Sequence, residues 1–182
     1  MREFNIYSTK QSKWYSYVTP DPRMDLCHTI VSAQDSSSHQ IIIYGGTTGA
    51  EFKHDSTVWV LSMPSFDWVQ LAGNATDSTR QPGMRLQPLC TLVGNKYMLS
   101  WGRRHYLKDD TDAPECDDAW NVVYLLDITK GQWVDQFQPG QEYLVPDEVV
   151  QIIGGTYVSI VTYSRICANL PQRQGRRNKT RT

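Results

Sequence analysis

The sequence predicts an all-β fold assembled from repeated small sheets, and three observations carry that prediction. Residues 4–14 (FNIYSTKQSKW), 58–68 (VWVLSMPSFDW) and 123–133 (VYLLDITKGQW) each pass from an apolar strand-like run, through a polar or turn-forming break, to a tryptophan ten residues after the start. Aromatics are plentiful, with 6 Trp and 10 Tyr, which suits strands better than helices. The intervening chain divides into short apolar runs separated by Gly, Pro, Asp and Ser clusters. A unit of this kind cannot bury its apolar faces alone, so repetition implies a radial array of four-stranded sheets, a β-propeller.

Taken in order, residues 4–18 read as the last two strands of a blade, because they match the half that ends in Trp68 and in Trp133. Residues 27–71 give four strands, over 28–33, 40–44, 57–63 and 67–71, parted by Asp35-Ser36-Ser37-Ser38, by Gly45-Gly46 with a polar loop, and by Pro64-Ser65. Residues 89–137 repeat the cycle with strands over 89–93, 96–101, 122–128 and 132–137, and with Gly94-Asn95 and Lys130-Gly131 as tight turns whose backbones need positive φ. A polar insertion over 103–119 lengthens the second cycle, so the Trp68 to Trp133 interval is 65 residues against 54 between Trp14 and Trp68.

Residues 148–163 read as a further partial blade, since VQIIGGTYVSIV (150–161) aligns without gaps on CTLVGNKYMLSW (90–101) and makes Gly154-Gly155 a hairpin turn. Residues 164–182 have no period and read as a disordered basic tail. The expected organisation is therefore a partial propeller over 1–163, with two complete blades and two partial ones. A ring needs at least about four blades.

A hydrophobic content of 40% with 20% charged residues is that of an ordinary folded chain. The net charge of -1 hides an asymmetry, because no acidic residue follows Glu148 while Arg165, Arg173, Arg176, Arg177, Lys179 and Arg181 do. The first residues are polar and strand-like, without the apolar core of a signal peptide. The stretch 149–161 is interrupted by Gln151, Gly154, Gly155 and Thr156 and is short of the roughly 20 residues a spanning helix needs; no membrane span is expected. Four cysteines, Cys27, Cys90, Cys116 and Cys167, show no metal-like spacing. Cys27 and Cys90 fall at matching positions of successive repeats, which predicts equivalent buried sites in adjacent blades; a bridge between Cys90 and Cys116 and free buried thiols are the two readings for this set.

The run Ile41-Ile42-Ile43-Tyr44-Gly45-Gly46, followed by a strand aromatic at Trp59 and by Trp68, resembles the kelch repeat, and the resemblance covers about residues 4–161. The structural positions it implies are Gly45, Gly46, Trp59 and Trp68 in one blade, Gly102, Tyr124 and Trp133 in the next, and Trp14 in the leading half-blade. At Gly102-Arg103 the second glycine of the pair is replaced. The flavour of these segments is similar to kelch proteins of filamentous ascomycete fungi, a resemblance that implies a fragment of a large extracellular, membrane-anchored propeller. A diglycine at a strand end lets the backbone turn and approach where a Cβ could not go, and the tryptophans are expected to wedge between neighbouring sheets.

Kelch propellers include an enzymatic relative of the galactose oxidase type, whose copper site implies tyrosine, cysteine and histidine ligands. Such residues exist here as His28, His39, His54, His105, Tyr44, Tyr97, Tyr106 and Cys116, but no two histidines have a ligand spacing. No cofactor is assigned. Asp109, Asp110, Asp112, Glu115, Asp117 and Asp118 lack the spacing of an EF-hand loop and read as a solvated acidic loop. That insertion, with Arg103, Arg104, His105, Tyr106, Asp109, Asp110 and Trp120, is the candidate contact for a protein partner. The terminal GRRNKTR has no interleaved aromatic, so a solvated tail is preferred over a nucleic-acid contact. Asn74-Ala75-Thr76 and Asn178-Lys179-Thr180 fit the glycosylation acceptor pattern, which matters only in a secreted chain. The function expected is a non-catalytic protein-interaction scaffold, with a copper-enzyme fragment and a truncated product without its own function as alternatives.

Overall fold

The computed structural model describes residues 3–19, 22–48, 53–75, 82–102, 104–106 and 123–157. The leading hairpin pairs β1 (Glu3–Ser8) with β2 (Lys13–Val18). A short β3 (Arg23–Met24) leads into the first blade, which begins with β4 (Cys27–Ser32) and β5 (His39–Tyr44). The loop beyond β5 holds β6 (Thr47–Thr48) and β7 (Lys53–His54), and the blade ends with β8 (Val58–Met63) and β9 (Asp67–Leu71). After β10 (Asn74–Ala75) and β11 (Met84–Leu86), the second blade comprises β12 (Leu89–Val93), β13 (Tyr97–Trp101), β15 (Val123–Asp127) and β16 (Gln132–Val134), with β14 (Arg104–Tyr106) standing in the insertion.

The first blade is antiparallel in the order β4-β5-β8-β9, and the second repeats it as β12-β13-β15-β16 with β10 added in parallel along its outer edge. This is a partial all-β propeller.

Alternation builds the interface between the blades. In β4, Cys27, Thr29 and Val31 are buried while His28, Ile30 and Ser32 are exposed, and the same face continues through Gln40, Ile42 and Tyr44, through Val58 and Val60, and through Val69 and Leu71. Branched and aromatic side chains at every second position leave one face of the sheet apolar, and it can only be buried against a second sheet. Met98, Leu126, Ile128 and Trp133 of the second blade supply that cover in one continuous core. The indole of Trp133 sits edge-on to Tyr44 at 4.9 Å and to Tyr124 at 6.4 Å, a wedge between the two sheets.

One hairpin geometry recurs three times and explains the tryptophan spacing. Ser8 faces Lys13, Ser62 faces Asp67 and Asp127 faces Gln132, and in each case the last loop residue takes positive φ: Ser12 at 50°, Phe66 at 61° and Gly131 at 61°. The tryptophan stands one position after the partner of the loop-closing pair, opposite Tyr7, Leu61 or Leu126. Gly94 and Asn95 both have positive φ (58° and 57°), as a tight turn between β12 and β13 requires.

Three expectations are corrected. The partial blade over 148–163 is not formed by the described residues: α1 (Asp147–Ile153) stands where a strand was expected, and Gly154 closes the helix instead of turning a hairpin. Val149 and Ile153, four residues apart, share one helical face and both are buried. Pro146 starts the helix, Asp147 and Glu148 sit at the positive end of its dipole, and Gly154 at φ 83° returns its N–H to the Val150 carbonyl at 2.8 Å. The chain after β16 thus folds back over the cleft between the blades: Tyr143 donates to Gln40 Oε1 at 3.1 Å, Gln34 donates to Glu142 at 2.6 Å, and α1 packs on β9. Residues 158–182, including the basic tail, lie outside the described residues.

The second correction concerns the cysteines. Cys27 is bonded to Cys90, with their Cα atoms 5.5 Å apart. They are not at matching positions: Cys27 pairs with Tyr44 just before Gly45, and its register equivalent is Leu89, which pairs with Trp101 just before Gly102. Cys90 is one residue further on. A one-residue offset sends a side chain to the opposite face of its sheet, so Cys27 points towards the second blade and Cys90 points back. Equivalent cysteines would have pointed the same way and could not have met. Cys116 and Cys167 lie outside the described residues.

The third correction is Trp14, which is 66% exposed, where Trp133 is 1% exposed. Phe4 and Tyr17 occupy the face of the leading hairpin that packs on Trp68 and Phe66, at 6.3 Å and 4.7 Å. Trp14 and Tyr7 lie on its other face.

Candidate interaction face at the glycine end of the blades

Both blades send their longest loops out of the same end, where β5 and β13 finish at Gly45 and Gly102. In each, the chain leaving the glycine pairs with the segment that leads into the blade: β6 runs beside β3 with Arg23 opposite Thr48, and β14 runs beside β11 with Arg85 opposite His105. Each blade therefore stands its loop on a small antiparallel sheet.

A buried arginine fixes each of these platforms. The guanidinium of Arg23 donates to the Gly45 carbonyl at 3.3 Å, the Thr57 carbonyl at 3.1 Å, the Thr57 hydroxyl at 2.8 Å and the Asp55 carboxylate at 2.8 Å. Asp55 is thereby locked, and it also accepts the Thr57 N–H while its own N–H reaches the Gly46 carbonyl at 3.0 Å. Arg85, fully buried, donates to the Gly102 carbonyl at 3.3 Å and lies 4.5 Å from the centre of the Tyr124 ring. Trp59, the register equivalent of Tyr124, donates from its indole N–H to the Thr57 hydroxyl at 3.1 Å. The strand aromatic thus belongs to the arginine's surroundings in both blades.

The two platforms are also joined. Gly46 donates its N–H to the Arg85 carbonyl at 2.7 Å, Tyr44 donates its hydroxyl to the Gly83 carbonyl at 2.9 Å, and Gln87 bonds Asp25 through both backbone and side chain, at 2.8 and 3.1 Å. Gly46 has φ 88°, and a Cβ there would stand 2.2 Å from the Met24 carbonyl oxygen; a Cβ at Gly45 would stand 2.9 Å from that of Arg85. Gly102 has φ 77°, and among the described residues no atom lies within 4 Å of where its Cβ would stand. The diglycine of the first blade is therefore required by close backbone approach, Gly46 to the segment leading into its own blade and Gly45 to Arg85 of the second platform.

Three of the seven expected partner residues are on this face. Arg104, His105 and Tyr106 form β14 on the second platform, while Arg103, Asp109, Asp110 and Trp120 lie outside the described residues. Arg23, Arg85 and Asp55 were not singled out from the sequence. The signal was present, because Arg23-Met24-Asp25 and Arg85-Leu86-Gln87 both stand four residues ahead of the first blade strand, and both Asp25 and Gln87 take positive φ.

The residues considered for copper lie on several elements. His28 lies on the exposed face of β4, His39 sits at the far end of the same blade with Nδ1 2.8 Å from the Ser32 hydroxyl, and Tyr44 is committed to Gly83. His54 and His105 are in β7 and β14, Tyr97 begins β13 at the other end of the second blade, and Tyr106 ends β14; Cys116 lies outside the described residues. Among the described residues no three His, Cys, Asp or Glu side chains are grouped to hold a metal ion, and no helix is long and apolar enough to cross a membrane.

No protein-family model matches this chain. In an alignment 145 residues long that covers 75% of the chain, it is 27% identical to a kelch repeat-containing protein of the fungus Arthroderma benhamiae, and it spans 20% of that relative. The resemblance to fungal kelch-repeat proteins read from the sequence is borne out, and the fold is a partial kelch-type propeller.

Proposed function

We propose that this chain is a non-catalytic protein-interaction scaffold, in which two kelch-type blades present their glycine-end loops to a protein partner. The observation that supports this reading best is the pair of arginine-anchored platforms. Two buried guanidinium groups and three inter-blade contacts hold the roots of the long loops in one fixed relation, which lowers the ordering cost of binding through loops. The insertion rooted on the second platform carries Arg103, Tyr106 and Trp120, residue types over-represented in binding hot spots, beside its run of carboxylates.

Affinity capture with the intact chain and with a variant lacking residues 108–115 tests the proposal, both proteins being checked for the Cys27–Cys90 bridge. A partner recovered in stoichiometric amount by the intact chain and lost from the variant is the expected outcome. Equal recovery by both would remove the loop from the interface. Stoichiometric copper accompanied by oxidation of alcohol substrates would replace the scaffold with an enzyme.

A further inference from the structure

The internal blade interface shows what each face of this repeat unit packs against, and both of its halves recur exposed at the two ends of the described structure. In the first blade, Cys27, Tyr44, Val58 and Leu71 form one row across the four strands. Every member is buried, and the second blade's Trp133 packs on the row at Tyr44. The register equivalents in the second blade are Leu89, Trp101 and Val123, aligned across β12, β13 and β15. Leu89 is 49% exposed where Cys27 is 6%, and Val123 is 48% exposed where Val58 is 0%; Trp101 between them is half-buried.

At the other end, the register equivalent of Trp133 is Trp14, exposed beside Tyr7 and on the same hairpin face as Val18. Its tilted contact with Tyr7, with ring centres 5.1 Å apart, keeps an aromatic pair facing outward. One end thus offers the Tyr44-type row and the other offers the Trp133-type wedge. The two surfaces are unlike each other, so they match between copies as head meets tail.

We propose that a second copy of this chain docks head to tail on the first, with Trp14 of one copy packed over Trp101 and Val123 of the next in the manner of Trp133 over Tyr44. The interface is heterologous, which gives it a signature that a two-fold dimer lacks. Trp14→Glu destroys only the head and Val123→Glu destroys only the tail; both side chains are solvent-exposed in the isolated chain, so neither change reaches the core.

Sedimentation velocity of the wild type, of each variant, and of their equimolar mixture tests this, with retention of the Cys27–Cys90 bridge as the folding control. The wild type should associate with rising concentration and each variant should remain monomeric. The mixture should form a one-to-one dimer and nothing larger, because Trp14→Glu retains a tail and Val123→Glu retains a head, leaving one productive pairing. A wild type that stays monomeric, a variant that still associates, or a mixture that stays monomeric overturns the proposal. None of these outcomes bears on partner binding by the glycine-end loops, which is tested separately.

Discussion

At Gly45-Gly46 and at Gly102 the same residue type does different work. Gly46 combines a φ of 88° with a space that a Cβ could enter only by coming within 2.2 Å of a backbone carbonyl, and its N–H ties the first blade to Arg85. Gly102 has positive φ and no close neighbour among the described residues. Gly46→Ala should therefore cost on the order of 3 kcal/mol, clash and strain together, and Gly102→Ala about 1 kcal/mol for left-handed backbone alone. Urea denaturation midpoints compare the two directly, and equal shifts would contradict the account of the seam. The diglycine motif was legible in the sequence because glycine pairs at strand ends are conspicuous. The buried arginines were not, since an isolated Arg in a polar stretch is ordinarily solvated, and only the register that aligns Arg23 with Arg85 reveals the repeat. The cysteine placement missed by a single residue: Cys27 and Cys90 were read as matching positions of successive repeats, whereas the strand register aligns Cys27 with Leu89.

Among the elements, the outer hairpins were the most readable, because their four-residue loops keep the same spacing wherever they occur and the tryptophan position follows from it. Helix α1 was not readable. A short apolar run such as Val149 to Ile153 fits a strand or a helix equally by pattern, and what decided it was the cleft between the blades, a feature no local sequence displays. Tyr143, in the segment leading to that helix, is buried with its hydroxyl on Gln40, and burial pushes its phenol well above the usual tyrosine range. The neutral form is the one the folded chain accepts, while the unfolded chain ionises near the ordinary value of about 10. Stability from this group is therefore fully present below about pH 10 and is lost as pH rises beyond it. Tyr143→Phe should lower stability at neutral pH by about 1–3 kcal/mol, since Gln40 loses its donor, and should flatten the decline above pH 10. Parallel pH profiles for the two proteins would contradict this placement of Tyr143.

For the whole molecule, the decisive arrangement is two kelch-type sheets packed face to face, with their inner-edge strands β4 and β12 side by side and Trp133 between them. The Cys27–Cys90 bridge closes a separation of 63 residues across that seam, and its loss should destabilise the fold by about 4 kcal/mol on loop-closure grounds. Its pairing depends on both blade registers being right at once, because a slip of one residue in either sheet would turn one sulfur away. Peptide mapping of the non-reduced protein by mass spectrometry tests the arrangement most directly. A linked peptide pair containing Cys27 and Cys90 is the predicted result; Cys90 bridged to Cys116, or Cys27 and Cys90 both recovered as free thiols, would contradict it.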